Sequence, residues 1–243
     1  MIAYFSGTGN SKWVAKKLGE LLVQDVVNIT SVASVDFIQV GILVIPIYAW
    51  GMPGWVKQYL KEAELPQKID VVLTCGDDIG MTDAELRRFF SKGNCKMASC
   101  HSVQMPNTYV VLPGFDTDKE DVVSTKMENA RIRLEVIAER LKENLEVTDV
   151  VRGGFPRIKS YVLRPLFNRF LTGDKWFKVD TDACIHCSRC ADICPVNNIK
   201  MSDGAIPVWQ HHCADCSACY HVCPKHAIRY NAFTAKKGQK PIF

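Results

Sequence analysis

Eight of the eleven cysteines fall between Cys184 and Cys223, in two copies of Cys-x-x-Cys-x-x-Cys-x-x-x-Cys-Pro. The first copy is Cys184, Cys187, Cys190, Cys194 and Pro195; the second is Cys213, Cys216, Cys219, Cys223 and Pro224. Three thiolates two residues apart wrap a loop around three iron corners of a cubane, and a remote thiolate reaches the fourth, so this spacing points to iron–sulfur electron transfer. Zinc is the alternative, because Cys-x-x-Cys also suits a tetrahedral site. Zinc proteins, however, pair two such knuckles or add histidines in place of a third cysteine and a closing Cys-Pro. His186, His211, His212, His221 and His226 lie in or beside the repeats and read as surface or hydrogen-bonding side chains, since every ligand position already holds a cysteine. Ile199 aligns with Ile228 and Lys200 with Arg229, so the region reads as a duplicated unit around one core. Ile185, Ile193, Ile199, Ile206, Val222 and Ile228 are expected to form that core and keep the clusters dry.

A second constellation lies near the N-terminus, where Ser6-Gly7-Thr8-Gly9-Asn10-Ser11 separates an apolar run from a helical pattern. At a strand-to-helix turn, free backbone N–H groups and the helix dipole favour a phosphate. The hydroxyls of Ser6, Thr8 and Ser11 are able to donate to phosphate oxygens, and two glycines let the backbone close in. No lysine stands at Walker spacing, and Lys12 replaces the third glycine of the dinucleotide fingerprint. A phosphate held by hydroxyls and amides alone suits the tail of flavin mononucleotide (FMN); plain helix capping is the alternative for such a turn. Two further loops suit a flavin ring, Pro46-Ile47-Tyr48-Ala49-Trp50-Gly51 and Cys75-Gly76-Asp77-Asp78-Ile79-Gly80. Tyr48 or Trp50 would stack on the ring and amides of the Cys75 to Gly80 loop would meet its polar edge. The bland alternatives are ordinary aromatics for Tyr48 and Trp50 and turn residues for Asp77 and Asp78.

Such loops need strands to aim them. Ile2 to Phe5, Val26 to Ile29, Gly41 to Ile47, Ile69 to Thr74 and Lys96 to Val103 read as strands, and continuous apolar runs suit burial on both faces. Helical periodicity falls between them. It runs after Ser11 with Val14, Leu18, Leu21 and Leu22 on one face, over Gly54 to Leu60 and Thr82 to Phe90, and over Lys119 to Asn144 with Val122, Ile132, Val136 and Leu141. The alternation implies an α/β fold with a doubly wound parallel sheet. Ligands of such sheets sit at the carboxyl ends of the strands, beside the point where strand order reverses, and the three loops lie at strand ends. Residues 150 to 178 break the pattern with Gly153-Gly154, Pro156 and Pro165, and carry Arg152, Arg157, Lys159, Arg164, Arg169, Lys175 and Lys178 among aromatics. They read as a basic linker: a strap packed on two domains, an electrostatic docking surface or a membrane-surface helix.

The 243 residues are 47% hydrophobic and 23% charged, with a mean hydropathy of -0.03; this excludes a disordered, collagen-like or membrane-embedded chain. No apolar run reaches the roughly 18 to 20 residues that span a bilayer. Met1 leads straight into apolar residues without a basic n-region, so a cytoplasmic protein with reduced thiols is expected. The formal charge of +4 counts every cysteine as neutral. Two oxidised cubanes at about -2 each bring it to about zero, which removes any argument for nucleic acid.

With these motifs, the chain resembles flavodoxin-ferredoxin fusion proteins of anaerobic prokaryotes over nearly its whole length. The marks are Phe5 through Ser11, Pro46 through Gly51, Met105-Pro106-Asn107-Thr108-Tyr109, Pro195-Val196-Asn197-Asn198-Ile199, Pro207-Val208-Trp209 and the two cysteine runs, which are those of bacterial ferredoxins. The resemblance implies a flavodoxin-like sheet of order 2-1-3-4-5 with bound FMN over 1–149, a basic linker over 150–175, and a small α+β domain with two [4Fe-4S] clusters over 176–243. It implies crossed ligation: Cys184, Cys187 and Cys190 with Cys223, and Cys213, Cys216 and Cys219 with Cys194. It also carries the phosphate role onto Ser6, Thr8, Gly9, Asn10 and Ser11, and the ring role onto Tyr48, Trp50 and Gly51, whose peptide would flip toward the flavin N5. Two departures stand out. The loop after the fourth strand lacks the aromatic that covers the outer flavin face, and Ser11 stands where threonine is common.

The expected role is electron transfer between FMN, two low-potential clusters and unidentified donor and acceptor proteins, with a homodimer as one option. The rival is a reductase of a small organic substrate at the flavin, fed by the clusters, with Tyr48, Asp77, His101 or Tyr109 as proton donor. A structural or nucleic-acid-binding metalloprotein is the remote third reading.

Overall fold

The computed structural model describes residues 1–31, 35–111, 114–204 and 206–240. Strands β1 (Ile2–Tyr4), β2 (Val26–Asn28), β3 (Ile42–Pro46), β4 (Lys68–Cys75), β5 (Lys96–Gln104) and β6 (Thr148–Asp149) form one parallel sheet in the order β2-β1-β3-β4-β5-β6. Alternate residues of each strand feed the two faces. Ala3, Leu43, Ile45, Val71 and Leu73 pack on α2 (Gly54–Glu62) and α3 (Thr82–Lys92), which contribute Val56, Leu60, Leu86 and Phe90. Ile2, Tyr4, Ile42, Val44 and Val72 pack on α1 (Asn10–Leu22) and α4 (Glu120–Lys142). Burial on both faces is what the continuous apolar runs encode.

Two helix faces differ from the expectation. Leu21 of α1 is exposed, and α4 buries Ala130, Leu134, Ile137 and Ala138 while Val122, Ile132 and Val136 face solvent. The small Ala130 and Ala138 are the side chains that let α4 lie close to the sheet, and a reading weighted to large residues passes over them. The expected strand order is present, but β6 adds an edge strand beyond it, paired with Cys100 and His101. Ion pairing holds it more than apolar pattern: Arg133 donates to the Asp149 carboxylate at 2.7 Å and to its carbonyl at 2.8 Å, and Arg140 donates to the same carboxylate. These hydrogen bonds bring the Asp149 carboxyl down to about 2.

The basic segment is folded. It runs as α5 (Pro156–Ile158), a π-helical turn over Lys159–Leu163 and α6 (Arg164–Phe170). Beyond it, β7 (Phe177–Val179) pairs antiparallel with β10 (Ile228–Tyr230), and β8 (Ile199–Met201) with β9 (Pro207–Trp209). Each pair takes one strand from each repeat, so the duplicated units are interlocked. Short helices α7 (Arg189–Asp192) and α8 (Ala218–Val222) begin at left-handed Ser188 and Ser217, and the left-handed residues His186 and Asn197 have counterparts in Asp215 and His226. Ile199 and Ile228 are buried as expected, together with Phe177, Tyr220 and Tyr230, but Ile185 is exposed. Phe177 stacks on Trp209 at 5.4 Å and meets Tyr230 edge-on at 4.8 Å. Val110 and Val111 belong to this core, and the end of the chain returns to the N-terminal half: Lys240 pairs with Glu120 at 2.7 Å, and the Gly238 amide donates to Asp116 at 2.9 Å.

Candidate functional site

Gly9, with φ of 99°, opens α1 in a conformation that only glycine adopts without cost, and no side chain caps the helix and no acidic residue stands in its first turn. Simple capping therefore does not account for the hydroxyls of this loop. Ser6 Oγ accepts from the Gly9 amide at 3.1 Å, leaving its own proton free to be donated elsewhere. Thr8 pairs with the Thr108 hydroxyl at 3.1 Å and Ser11 with that of Thr74 at 2.7 Å, and each such pair leaves one O–H proton uncommitted by the other. Asn10 donates to the Pro106 carbonyl at 2.9 Å.

The loop after β3 closes as a two-residue turn, with Tyr48 N–Gly51 O at 3.0 Å and Gly51 N–Tyr48 O at 3.2 Å. Its central residues, Ala49 and Trp50, have φ of 45° and 57°. Left-handed non-glycine residues cost about 1 to 2 kcal/mol each, so something must hold them. The strap does. Ser160 Oγ donates to the Trp50 carbonyl at 2.9 Å and accepts from the Met81 amide at 2.8 Å. Arg164 donates to the Met52 carbonyl at 2.8 Å and pairs with Glu85, while Lys159 pairs with Asp78 and lies 5.7 Å from the Trp50 ring centre. A Cβ on Gly51 would lie 1.8 Å from the Arg164 guanidinium carbon, and one on Gly80 would lie 2.5 Å from Ser160 Oγ. Both glycines make room for the strap.

These loops enclose a cavity of about 690 Å³. Ser6, Gly7, Thr8, Asn10, Ser11, Pro46, Ile47, Tyr48, Ala49, Trp50, Cys75, Gly76 and Asp77 line it, whereas Gly9, Gly51 and Gly80 stand behind the wall. The sequence reading did not anticipate the rest of the wall: Lys159, Arg164 and Phe167 from the strap, and Asp215, Cys216 and Tyr230 from the second repeat. The strap itself was one reading of residues 150–178, but its place in this wall was not. Three buried polar atoms at this cavity lack a partner: Asn10 Oδ1, Tyr109 Oη and Arg164 Nε. Polar atoms left unpaired away from water are costly, and a ligand with its own donors and acceptors would satisfy them. Volume, apolar walls and a polar phosphate end fit a mononucleotide. Burial raises the Tyr48 phenol well above its ordinary range, with Cys216, Asp215 and Cys213 adding to the shift, and burial likewise raises Tyr109. Both hydroxyls are therefore proton-bearing at neutral pH. Asp78 caps a turn through the Gly80 amide at 3.1 Å, in keeping with the turn reading, and His101 lies within the sheet and lines no part of the cavity.

The eight cysteines of the two runs are the candidate cluster ligands. Cys184, Cys187, Cys190 and Cys223 line a second, smaller cavity. Cys216 lies within electrostatic reach of Cys194, and Cys219 of Cys216, Cys213, Cys194 and also Cys190. The repeats donate in the same way to their last cysteine: the Asn198 amide to Cys194 Sγ and the Ala227 amide to Cys223 Sγ, each at 3.2 Å. Among the described residues no three His, Cys, Asp or Glu side chains converge on a single-ion position; a tetrahedral zinc site needs sulfurs roughly 3.8 Å apart. Burial pushes Cys216 up to about 12 and Cys219 well up, so thiolate formation here needs compensating positive charge. The groups differ in position: Cys187 is exposed, whereas Cys216 is pressed against the phosphate-type loop. A Cβ on Gly7 would meet Cys216 Cβ at 2.2 Å and Tyr48 Oη at 2.9 Å.

A family model described as a 4Fe-4S dicluster domain matches residues 171–228. No curated protein matches the chain. Among solved structures, the chain is similar to the Trp repressor binding protein from Bacillus subtilis, at 17% identity over 58% of this chain and 97% of that one; the TM-score of 0.38 is too low to carry a conclusion. The C-terminal domain is thus of the ferredoxin-like 4Fe-4S dicluster kind, fused to an α/β parallel-sheet domain.

Proposed function

We propose that the chain is an electron-transfer protein that holds FMN in the large cavity and two [4Fe-4S] clusters in the crossed cysteine groups. When bound, these groups supply exchange of one or two electrons at the flavin and of single electrons at the clusters. The observation that carries the reading is the contact of Gly7 with Cys216, which puts a cluster-type cysteine in the wall of the nucleotide-type cavity. Ser6, Thr8, Ser11 and the first-turn amides of α1 would hold the phosphate, and Tyr48 and Trp50, the latter fixed by the strap, would flank the ring. The residue positions order the path. Cys187 brings the group of Cys184, Cys190 and Cys223 to the surface, where a partner protein docks, and Cys216 brings the other group to the cavity.

One observation favours a second reading, a reductase of a small organic molecule. The cavity is roofed by the strap, and the Tyr109 hydroxyl is buried in it, protonated and unpartnered. Anaerobic reduction by a ferredoxin-type donor tests the path in both readings. Flavin bleaching should be fast in the wild type and slow sharply in Cys194→Ala; equal rates would place the inner cysteine group off the path.

A further inference from the structure

The strap holds three polar side chains against the sheet domain and leaves most of its large apolar ones exposed. Ser160, Lys159 and Arg164 are held against the sheet domain, as described above. Outward lie Phe155, Ile158, Tyr161, Val162, Leu166 and Phe170, with exposures of 78, 50, 58, 53, 53 and 55%. With Val151 and Leu163, residues 151–170 hold eight of the nineteen large apolar side chains that are exposed among the described residues. A concentration of this kind, on a twelfth of the chain, marks an interaction surface.

Its charge indicates the partner. Between residues 150 and 173 there is no Asp or Glu, and there are five cations. Arg152, Lys159 and Arg164 pair with Asp83, Asp78 and Glu85. Arg157 and Arg169 are exposed, and among the described residues neither has a carboxylate partner; Arg169 lies 5.5 Å from the Phe170 ring centre, at the rim of the apolar face. Exposed aromatic and aliphatic side chains concentrated in one segment, interspersed with arginines, suit the interface of an anionic bilayer. There the apolar groups enter to about 5 to 10 Å and the guanidinium groups stay at the headgroups. No helix among the described residues is long and apolar enough to cross a membrane, so the contact would be peripheral. We propose that the outer face of the strap docks the protein on an anionic phospholipid surface, with the roof of the cavity toward the bilayer. The proposal does not depend on what the cavity holds.

The test is co-sedimentation of the full, cluster-loaded protein with vesicles of phosphatidylglycerol and phosphatidylcholine, and with phosphatidylcholine alone. Binding should be at least tenfold stronger to the anionic vesicles. Phe155→Ser with Leu166→Ser, and separately Arg157→Glu with Arg169→Glu, should each weaken it at least tenfold, with the visible absorption of the protein unchanged as a check on folding. No binding to anionic vesicles, or binding that ignores both double variants, overturns the proposal. A wild-type dimer that Phe155→Ser with Leu166→Ser dissociates, without vesicle binding, would make the face a contact between copies and also overturn it.

Discussion

Adding one methyl group at Gly7 tests the junction between cavity and cysteines more sharply than removing any ligand. The new Cβ would lie 2.2 Å from Cys216 Cβ and 3.1 Å from its sulfur, about 1.5 Å short of an ordinary carbon contact. A flexible side chain would swing aside, but Cys216 Cβ is tied to the backbone on one side and, in the proposed function, would be tied through its sulfur to a cluster on the other. Overpacking of this kind costs about 1 to 3 kcal/mol, and the absence of a soft neighbour puts Gly7→Ala at the upper end. Spread evenly between the loop and the inner cysteine group, about 3 kcal/mol leaves about 1.5 kcal/mol on the loop, which corresponds to FMN binding weakened about tenfold, with partial loss of the cluster next to it. Fluorescence titration of the apoprotein with FMN, with iron analysis on the same preparation, reads both. If Gly7→Ala keeps wild-type flavin affinity and full iron content, the proposed contact between nucleotide loop and inner cluster is wrong.

Thr8→Val should weaken FMN by roughly 1.5 to 3 kcal/mol, because a hydrogen bond to a charged group is lost, and should leave iron content unchanged; flavin titration decides. Cys194→Ala should damage the cluster of Cys213, Cys216 and Cys219 and spare that of Cys184, Cys187 and Cys190, and low-temperature electron paramagnetic resonance would expose the reverse loss if ligation is not crossed. His101 is buried with both ring nitrogens unpartnered, and burial beside Arg133 and Arg140 lowers it to about 4. Its contribution is full above the unfolded value of about 6.5 and is lost as pH falls toward 4, which amounts to about 2 kcal/mol by pH 5. Urea midpoints at pH 7 and pH 5 should therefore differ less in His101→Leu than in the wild type.

The strands were readable because burial on both faces leaves a continuous apolar signature, as in Leu43-Val44-Ile45. The dicluster domain was readable because Cys-x-x-Cys-x-x-Cys-x-x-x-Cys-Pro occurs twice with one spacing, and the family match covers both runs. What escaped depends on contacts distant in sequence. Asp149 becomes a strand through Arg133 and Arg140, a two-residue pairing with no periodicity of its own. The strap carries its apolar residues on the outer face, so hydrophobic patterning alone could not tell that Ser160 and Arg164 are the side chains that pack. Nor could the sequence tell that a Cβ on Gly51 would meet Arg164, more than a hundred residues on. Phe167 and Tyr230 line the cavity from segments more than a hundred residues away from the loop after β3, which no local pattern reveals.

Anaerobic determination of iron, acid-labile sulfide and flavin in the purified protein tests the central claim most directly. The account predicts about eight iron and eight sulfide per chain, with one FMN released on denaturation. Zinc in place of iron, or full iron with no FMN bound and none taken up on titration, would contradict it.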